Sequence, residues 1–194
     1  MMRPDFDHLY QIAEDQGGYF TAAQAQEAGI SRRMLSHHAK TGRFQRVARG
    51  VYRLAHFPAS RFEDLFVAWL RAGPKSAISH ESALAAYGLS DVLPGEVHVT
   101  VPRTASRRRA GMRQHTGALR SSEVTRREGI PLTTVPRTIA DLARAGLPEE
   151  QILQAIREAL ERGLTQEADL RPAMGRYGGR AARILEKALS EGRD

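Results

Sequence analysis

The chain has 194 residues, enough for one large domain or two small ones, and it is 41% hydrophobic and 26% charged, a composition that buries a core and excludes a disordered polyelectrolyte. Twenty-nine Lys and Arg against 22 Asp and Glu leave a formal net charge of +7, which points to a polyanionic partner, either nucleic acid or an acidic membrane surface. The absence of cysteine excludes a disulfide scaffold, a thiolate-held zinc or iron–sulfur centre and a cysteine nucleophile.

The first segment, Asp5 to Gln16, sets Phe6, Leu9, Tyr10 and Ala13 at helical spacing, and Gly17-Gly18 ends it. Tyr19-Phe20 reads as a short extended pair. Thr21-Ala22-Ala23-Gln24 has the spacing of a capping box, opening a second helix through Ala28. Gly29-Ile30-Ser31 is a tight turn. Ser31 caps a third helix running to about Thr41, with Leu35, Ala39 and either Met34 or His38 inward. Two short runs, Phe44–Val47 and Val51–Leu54, flank Ala48-Arg49-Gly50 and read as a β-hairpin. Helix, turn, helix and hairpin together outline a winged helix-turn-helix.

The charge follows that outline. Between Ala28 and Phe62 there is no acidic residue, while Arg32, Arg33, Lys40, Arg43, Arg46, Arg49, Arg53 and Arg61 give a local +8. The outward face of the third helix carries donors suited to base edges in a major groove. The hairpin arginines suit phosphates or the minor groove. The candidate DNA-binding residues are therefore Ser31, Arg32, Arg33, Ser36, His37, Lys40, Arg43, Arg46, Arg49 and Arg53. A second basic stretch, Arg103 to Arg127, has eight arginines against Glu123 alone, and its Arg107, Arg108 and Arg109 are candidates for an additional nucleic-acid contact.

Further along, Ser60-Arg61-Phe62-Glu63 has capping-box spacing before a stripe of Phe62, Leu65, Phe66, Trp69 and Leu70. Gly73-Pro74 ends that helix, and a shorter one spans Ser79 to Tyr87. Glu96 to Val101 alternates as a strand with one buried face, Val97, Val99 and Val101 inward. Weaker strand candidates are 112–115, 123–125 and 131–135. A helix follows over 137–145, then one opened by Pro148, one capped by Thr165, and a last one carrying Ala181, Ile184, Leu185, Ala188 and Leu189. The expected fold is α+β: a winged helix-turn-helix over 1–57, then a mixed α/β domain with C-terminal helices over 58–194.

Three stretches carry a resemblance. GGYFTAAQAQEAGISRRMLSHHAKTGRFQRVARGVYRL (Gly17–Leu54) resembles the N-terminal domain of the AbiEi family of abortive-infection antitoxins. SHESALAAYGLSDVLPGEVHVTVP (Ser79–Pro102) and PLTTVPRTIADLA (Pro131–Ala143) look like that family's middle domain. The resemblance implies that the winged helix binds inverted repeats in the operon's own promoter and represses it. It also implies that the remainder counteracts a nucleotidyltransferase-like toxin, with or without direct contact.

Catalysis is not expected. Asp91 and Glu96 stand alone near the best strand, without the carboxylate cluster that a metal-dependent nuclease needs. Gly88-Leu89-Ser90-Asp91 lacks the paired aspartates of a nucleotidyltransferase, and neither a phosphate-cradling loop nor a nucleophile elbow occurs. His98 and His115 read as surface or half-buried strand residues, and His37-His38 point to different sides of a helix, so neither a metal nor a cofactor is expected. The longest apolar run, Leu65–Leu70, is far short of the roughly 20 residues that span a bilayer. With no signal peptide apparent, a cytoplasmic protein without a membrane partner is expected. The sequence leaves two alternatives open: a protein-interaction module with DNA binding secondary, and an RNA-binding protein using Arg103–Arg127. The lack of aromatics in that stretch disfavours base stacking.

Overall fold

The computed structural model describes residues 3–90, 94–102 and 110–191. Asp91 and the Arg107, Arg108 and Arg109 cluster lie outside the described residues. The chain forms two compact units, one of Met1–Ser76 with 126–130, the other of Ala77–Thr125 with 131–194.

The first unit runs α1 (Phe6–Glu14), β1 (Tyr19–Thr21), α2 (Ala22–Glu27), α3 (Arg32–Lys40), β2 (Phe44–Ala48), β3 (Val51–Leu54) and α4 (Glu63–Ala72). Its three strands are antiparallel in the order β1-β3-β2, so the element order and sheet are those of a winged helix-turn-helix. Local chemistry sets the boundaries. Asp5 accepts from the His8 amide to start α1. Thr21 and Gln24 form the expected capping box, and the Gln24 amide also exchanges hydrogen bonds with Gln16. Gly18 has φ +88, and a Cβ there would stand 2.5 Å from Phe57 Cγ, so only glycine fits this close approach.

The core lies between the three helices and one face of the sheet: Leu9, Ala13, Phe20, Ala25, Ile30, Leu35, Phe44 and Leu54. Each large side chain fully buried here contributes about 1.5–3 kcal/mol. The opposite sheet face is also covered. Tyr19 stacks on Phe66 of α4 with centroids 5.0 Å apart, and its hydroxyl donates to Glu63 at 2.9 Å. Burial and that carboxylate push the Tyr19 phenol up to about 12. Hence α4 packs with the first unit, although the sequence reading placed it after a boundary at 57/58. Its start also differs from the expected capping box. Ser60 accepts from the Phe62 amide at 3.0 Å, and the helix begins at Glu63 with no side-chain cap. Trp69 is buried, as its place in the stripe implies, and Arg126 lies over its ring at 5.4 Å.

The second unit holds β4 (Ala77–Ile78), α5 (His80–Tyr87), β5 (Val97–Val101), β6 (Met112–Thr116), a 3-10 turn at Ser121–Glu123, β7 (Val124–Arg127), β8 (Ile130–Thr133), α6 (Val135–Ala145), α7 (Glu149–Glu161), α8 (Glu167–Arg176) and α9 (Gly179–Glu191), with 126–130 grouping in the first. The sheet order is β6-β5-β4-β8-β7. It is mixed: β5 pairs antiparallel with β4 and parallel with β6, and β4 pairs parallel with β8. An interior strand is covered on both faces, which corrects the reading of β5. His98 and Thr100 are as buried as Val99 and Val101. Another difference concerns α8, which begins at Glu167 with Gln166 at its N-cap. Thr165 makes no cap there, and its buried hydroxyl has no partner among the described residues.

Candidate nucleic-acid interface

The turn between α2 and α3 presents α3 by its polar side. Leu35 is buried, Met34, His38 and Ala39 are half-buried, and Ser31, Arg32, Arg33, Ser36, His37 and Lys40 are exposed. A helix is about 10–12 Å across with its side chains, a rod that a major groove about 12 Å wide admits. Ser31 accepts from the Met34 amide at 3.3 Å and so fixes where the helix starts. His38 packs edge-on against Phe6 and Phe44 with centroids 5.2 and 5.3 Å away. Burial, then Arg43 and His37, hold its imidazole below the usual histidine range. His37, its neighbour, stays outside.

The register of the wing separates its arginines. Arg46 pairs with Tyr52, on the sheet face that also carries Phe44 and packs on α3. Arg53 pairs with Gln45 and Tyr19, on the face covered by α4. Arg46 is nevertheless exposed, while Arg53 is half-buried and donates to the Phe57 carbonyl at 2.7 Å and to the Gln45 side chain at 2.5 Å. Arg49 is exposed at the turn beside Gly50, whose φ is +77. Arg43, also exposed, sets its guanidinium 4.2 Å from the Phe6 ring centroid, a cation–π contact. Among the described residues, no carboxylate forms an ion pair with a cation of α3 or the wing. The structure thus brings Arg32, Arg33, Ser36, His37, Lys40, Arg46 and Arg49 out as free donors, and it turns Arg53 to bracing the hairpin.

The second unit uses its charges in the opposite way. Arg137, with 5% of its side chain exposed, donates to Asp141 and Glu123 at 2.8 Å each, to the Tyr177 hydroxyl at 3.0 Å and to the Ala118 carbonyl at 3.2 Å. Burial pushes the Asp141 carboxyl up against the pull of Arg137. For Glu123 burial acts the same way, but the Tyr177 hydroxyl, the Arg120 amide, Arg137 and Arg176 outweigh it and hold that carboxyl down. A buried cation held by two carboxylates in this way is structural.

A second polar cluster was not legible as one in the sequence. His80, His98 and His115 converge: the rings of His80 and His115 stack with centroids 3.5 Å apart, and His98 lies 5.1 Å from His115. Glu81 pairs with His98 Nδ1. His80 has φ +50, a left-handed conformation that costs a non-glycine residue about 1–3 kcal/mol. Burial, then His115, push its imidazole down to about 3, and burial, then His98 and Arg113, push His115 to about 4. The only sequence signal was the polar tetrapeptide Ser79-His80-Glu81-Ser82 at a helix start.

Among the described residues, no helix is long and apolar enough to cross a membrane. No curated protein matches the sequence. The structure is similar to the crystal structure of the Rv2827c protein from Mycobacterium tuberculosis, with a TM-score of 0.54 and 13% identity over 99% of this chain and 78% of that one, a likeness of fold. Residues 7–55, from the second residue of α1 through β3, match the family described as "Transcriptional regulator, AbiEi antitoxin".

Proposed function

We propose that the protein is a sequence-specific DNA-binding repressor and the autoregulating antitoxin of a toxin–antitoxin operon. In this reading α3 enters the major groove, where Arg32, Arg33, Ser36, His37 and Lys40 meet base edges. Arg43, Arg46 and Arg49 meet phosphates, with Ser31 and Arg53 holding helix and wing in place. The observation that carries the reading is the face itself: a row of exposed cations and donors on α3 and the adjacent wing edge, without ion-paired carboxylates among the described residues. A protein gains no stability from such a row, because like charges repel, whereas a duplex neutralises it and releases counterions. The test is fluorescence anisotropy with the duplex upstream of the protein's own gene, titrated against a scrambled duplex at several salt concentrations. Preference for the upstream duplex and a steep loss of affinity with salt are expected; equal affinity for both would end the sequence-specific reading.

The antitoxin role rests on the family match. We propose that the partner, a nucleotidyltransferase-like toxin encoded next to this gene, is neutralised without any catalytic step by this chain and that both act in the cytoplasm. Co-expression measures this directly: growth is restored by the full chain, and co-purification tells direct from indirect antagonism.

A further inference from the structure

The second unit contains a cavity of about 390 Å³ whose wall includes His80, Gln114, His115, Arg144 and the paired Arg137 and Asp141. A volume of this size suits a small metabolite. The wall is strained and incompletely bonded. His80 is held in its left-handed conformation at the start of α5, and Thr100 donates to Ser79 at 2.8 Å while Ser79 stands 3.0 Å from His80 Nδ1. When the Ser79 hydroxyl donates to Nδ1 while accepting from Thr100, the neutral His80 ring carries its proton on Nε2. The Gln114 amide nitrogen and His115 Nε2 are buried with no hydrogen-bond partner among the described residues. Buried polar atoms without partners are rare in folded proteins and call for an occupant.

The Gln114 amide nitrogen is a donor, His115 Nε2 becomes one when it carries the ring proton, and the acids at the cavity are engaged. Glu81 is paired with His98, and Asp141 with Arg137. Arg144, exposed on α6, adds a cation whose guanidinium lies 5.9 Å from the Tyr177 ring. Among the described residues no group of three His, Cys, Asp or Glu is arranged to hold a metal ion, and the parallel rings of His80 and His115 cannot both point a lone pair at one centre. We infer that this cavity is a binding site for a phosphate group, free or as a small monoester, gripped by His80 Nε2, the Gln114 amide, His115 and Arg144.

The charged and titratable groups around the two stacked rings are Glu81 on α5, His98 on β5, Arg113 on β6, and Arg137, Asp141 and Arg144 on α6. Burial keeps both rings neutral near pH 7. An anion favours their protonated forms, so binding takes up protons and strengthens as pH falls.

The experiment is imidazole nitrogen NMR on the full chain, titrated with inorganic phosphate, with adenosine monophosphate and with zinc. Phosphate or the nucleotide should saturably shift the His80 and His115 rings and raise their titration midpoints by about one unit or more. Gln114→Leu and Arg144→Ala should each weaken binding about tenfold with an unchanged melting temperature. A response to inorganic phosphate as strong as to the nucleotide assigns free phosphate, and a stronger one to the nucleotide assigns an ester. No response of either ring to about 10 mM of both anions, weaker than any millimolar site, overturns the inference, as does a response to zinc alone.

Discussion

Arginine does opposite work in the two units. On α3 and the wing edge Arg32, Arg33, Arg46 and Arg49 are exposed and free of ion pairs among the described residues, whereas Arg137 in α6 is buried and saturated by two carboxylates, a phenol and a carbonyl. The difference lies in what the desolvated guanidinium would leave behind. A buried cation must bring its partners with it. An exposed one keeps its donors for a ligand and adds little to stability. The comparison teaches that a charge count cannot separate the two roles and that the exposure of each arginine side chain does.

The sharpest break is expected at the saturated arginine. Arg137→Met leaves Asp141 and Glu123 buried without their cation, and loss of one partner in such a network costs about 3–5 kcal/mol. Urea unfolding should show that loss as a lower midpoint with an unchanged slope. A variant as stable as the parent would mean that the network contributes nothing net.

At the other pole, replacing Arg32 and Arg33 together by Ala should leave the unfolding midpoint within about 0.5 kcal/mol of the parent, as for surface changes in general. It should weaken binding to the upstream duplex by at least about 30-fold, from two contacts at roughly 1 kcal/mol or more each. Anisotropy reads the second quantity, and unchanged affinity would remove α3 from the interface.

The histidine cluster gives a smaller, pH-dependent effect. His80 and His115 sit at about 3 and about 4 in the folded chain, against an ordinary value of 6.5. Above pH 6.5 both are neutral in the folded and unfolded states, and stability does not depend on them. As pH falls below 6.5, the unfolded chain takes protons that the folded one refuses, so stability falls by about 1.4 kcal/mol per pH unit per proton. Between pH 6 and pH 5 the melting temperature should drop. His80→Asn, which tolerates the left-handed backbone and does not titrate, should flatten that slope and keep the stability at neutral pH.

These contrasts show how much was legible beforehand. The winged helix was, because its signals are local: the Thr21–Gln24 box, the Ser31 cap, the periodicity around Leu35 and the run without acids from Ala28 to Phe62. The sidedness of Arg53, the attachment of α4 to the first sheet and the burial of His98 were not. Each depends on which faces of a strand are covered, and strand alternation marks two faces without saying what lies on them. His80 and Glu81 escaped for a related reason, since their partners His98 and His115 arrive from strands far along the chain. Arg137 and Asp141 stand four residues apart on one helix face, a spacing that sequence alone equally assigns to solvent.

The mildest test separates two arginines four positions apart in the wing. Arg49 is exposed at the turn, and Arg53 is tied to the Phe57 carbonyl and Gln45. If Arg49 neutralises one phosphate, Arg49→Ala should reduce the steepness of log affinity against log salt by about 0.9 and leave the fold untouched. Arg53→Ala should instead lower stability by about 1 kcal/mol through its lost hydrogen bonds, with the salt slope of the folded protein preserved. The pair of slopes decides the matter, because the register sets Arg53 on the sheet face away from α3, where a duplex seated on α3 does not reach it. Equal loss of slope in both variants would place the DNA across the tip of the hairpin rather than along its α3 side.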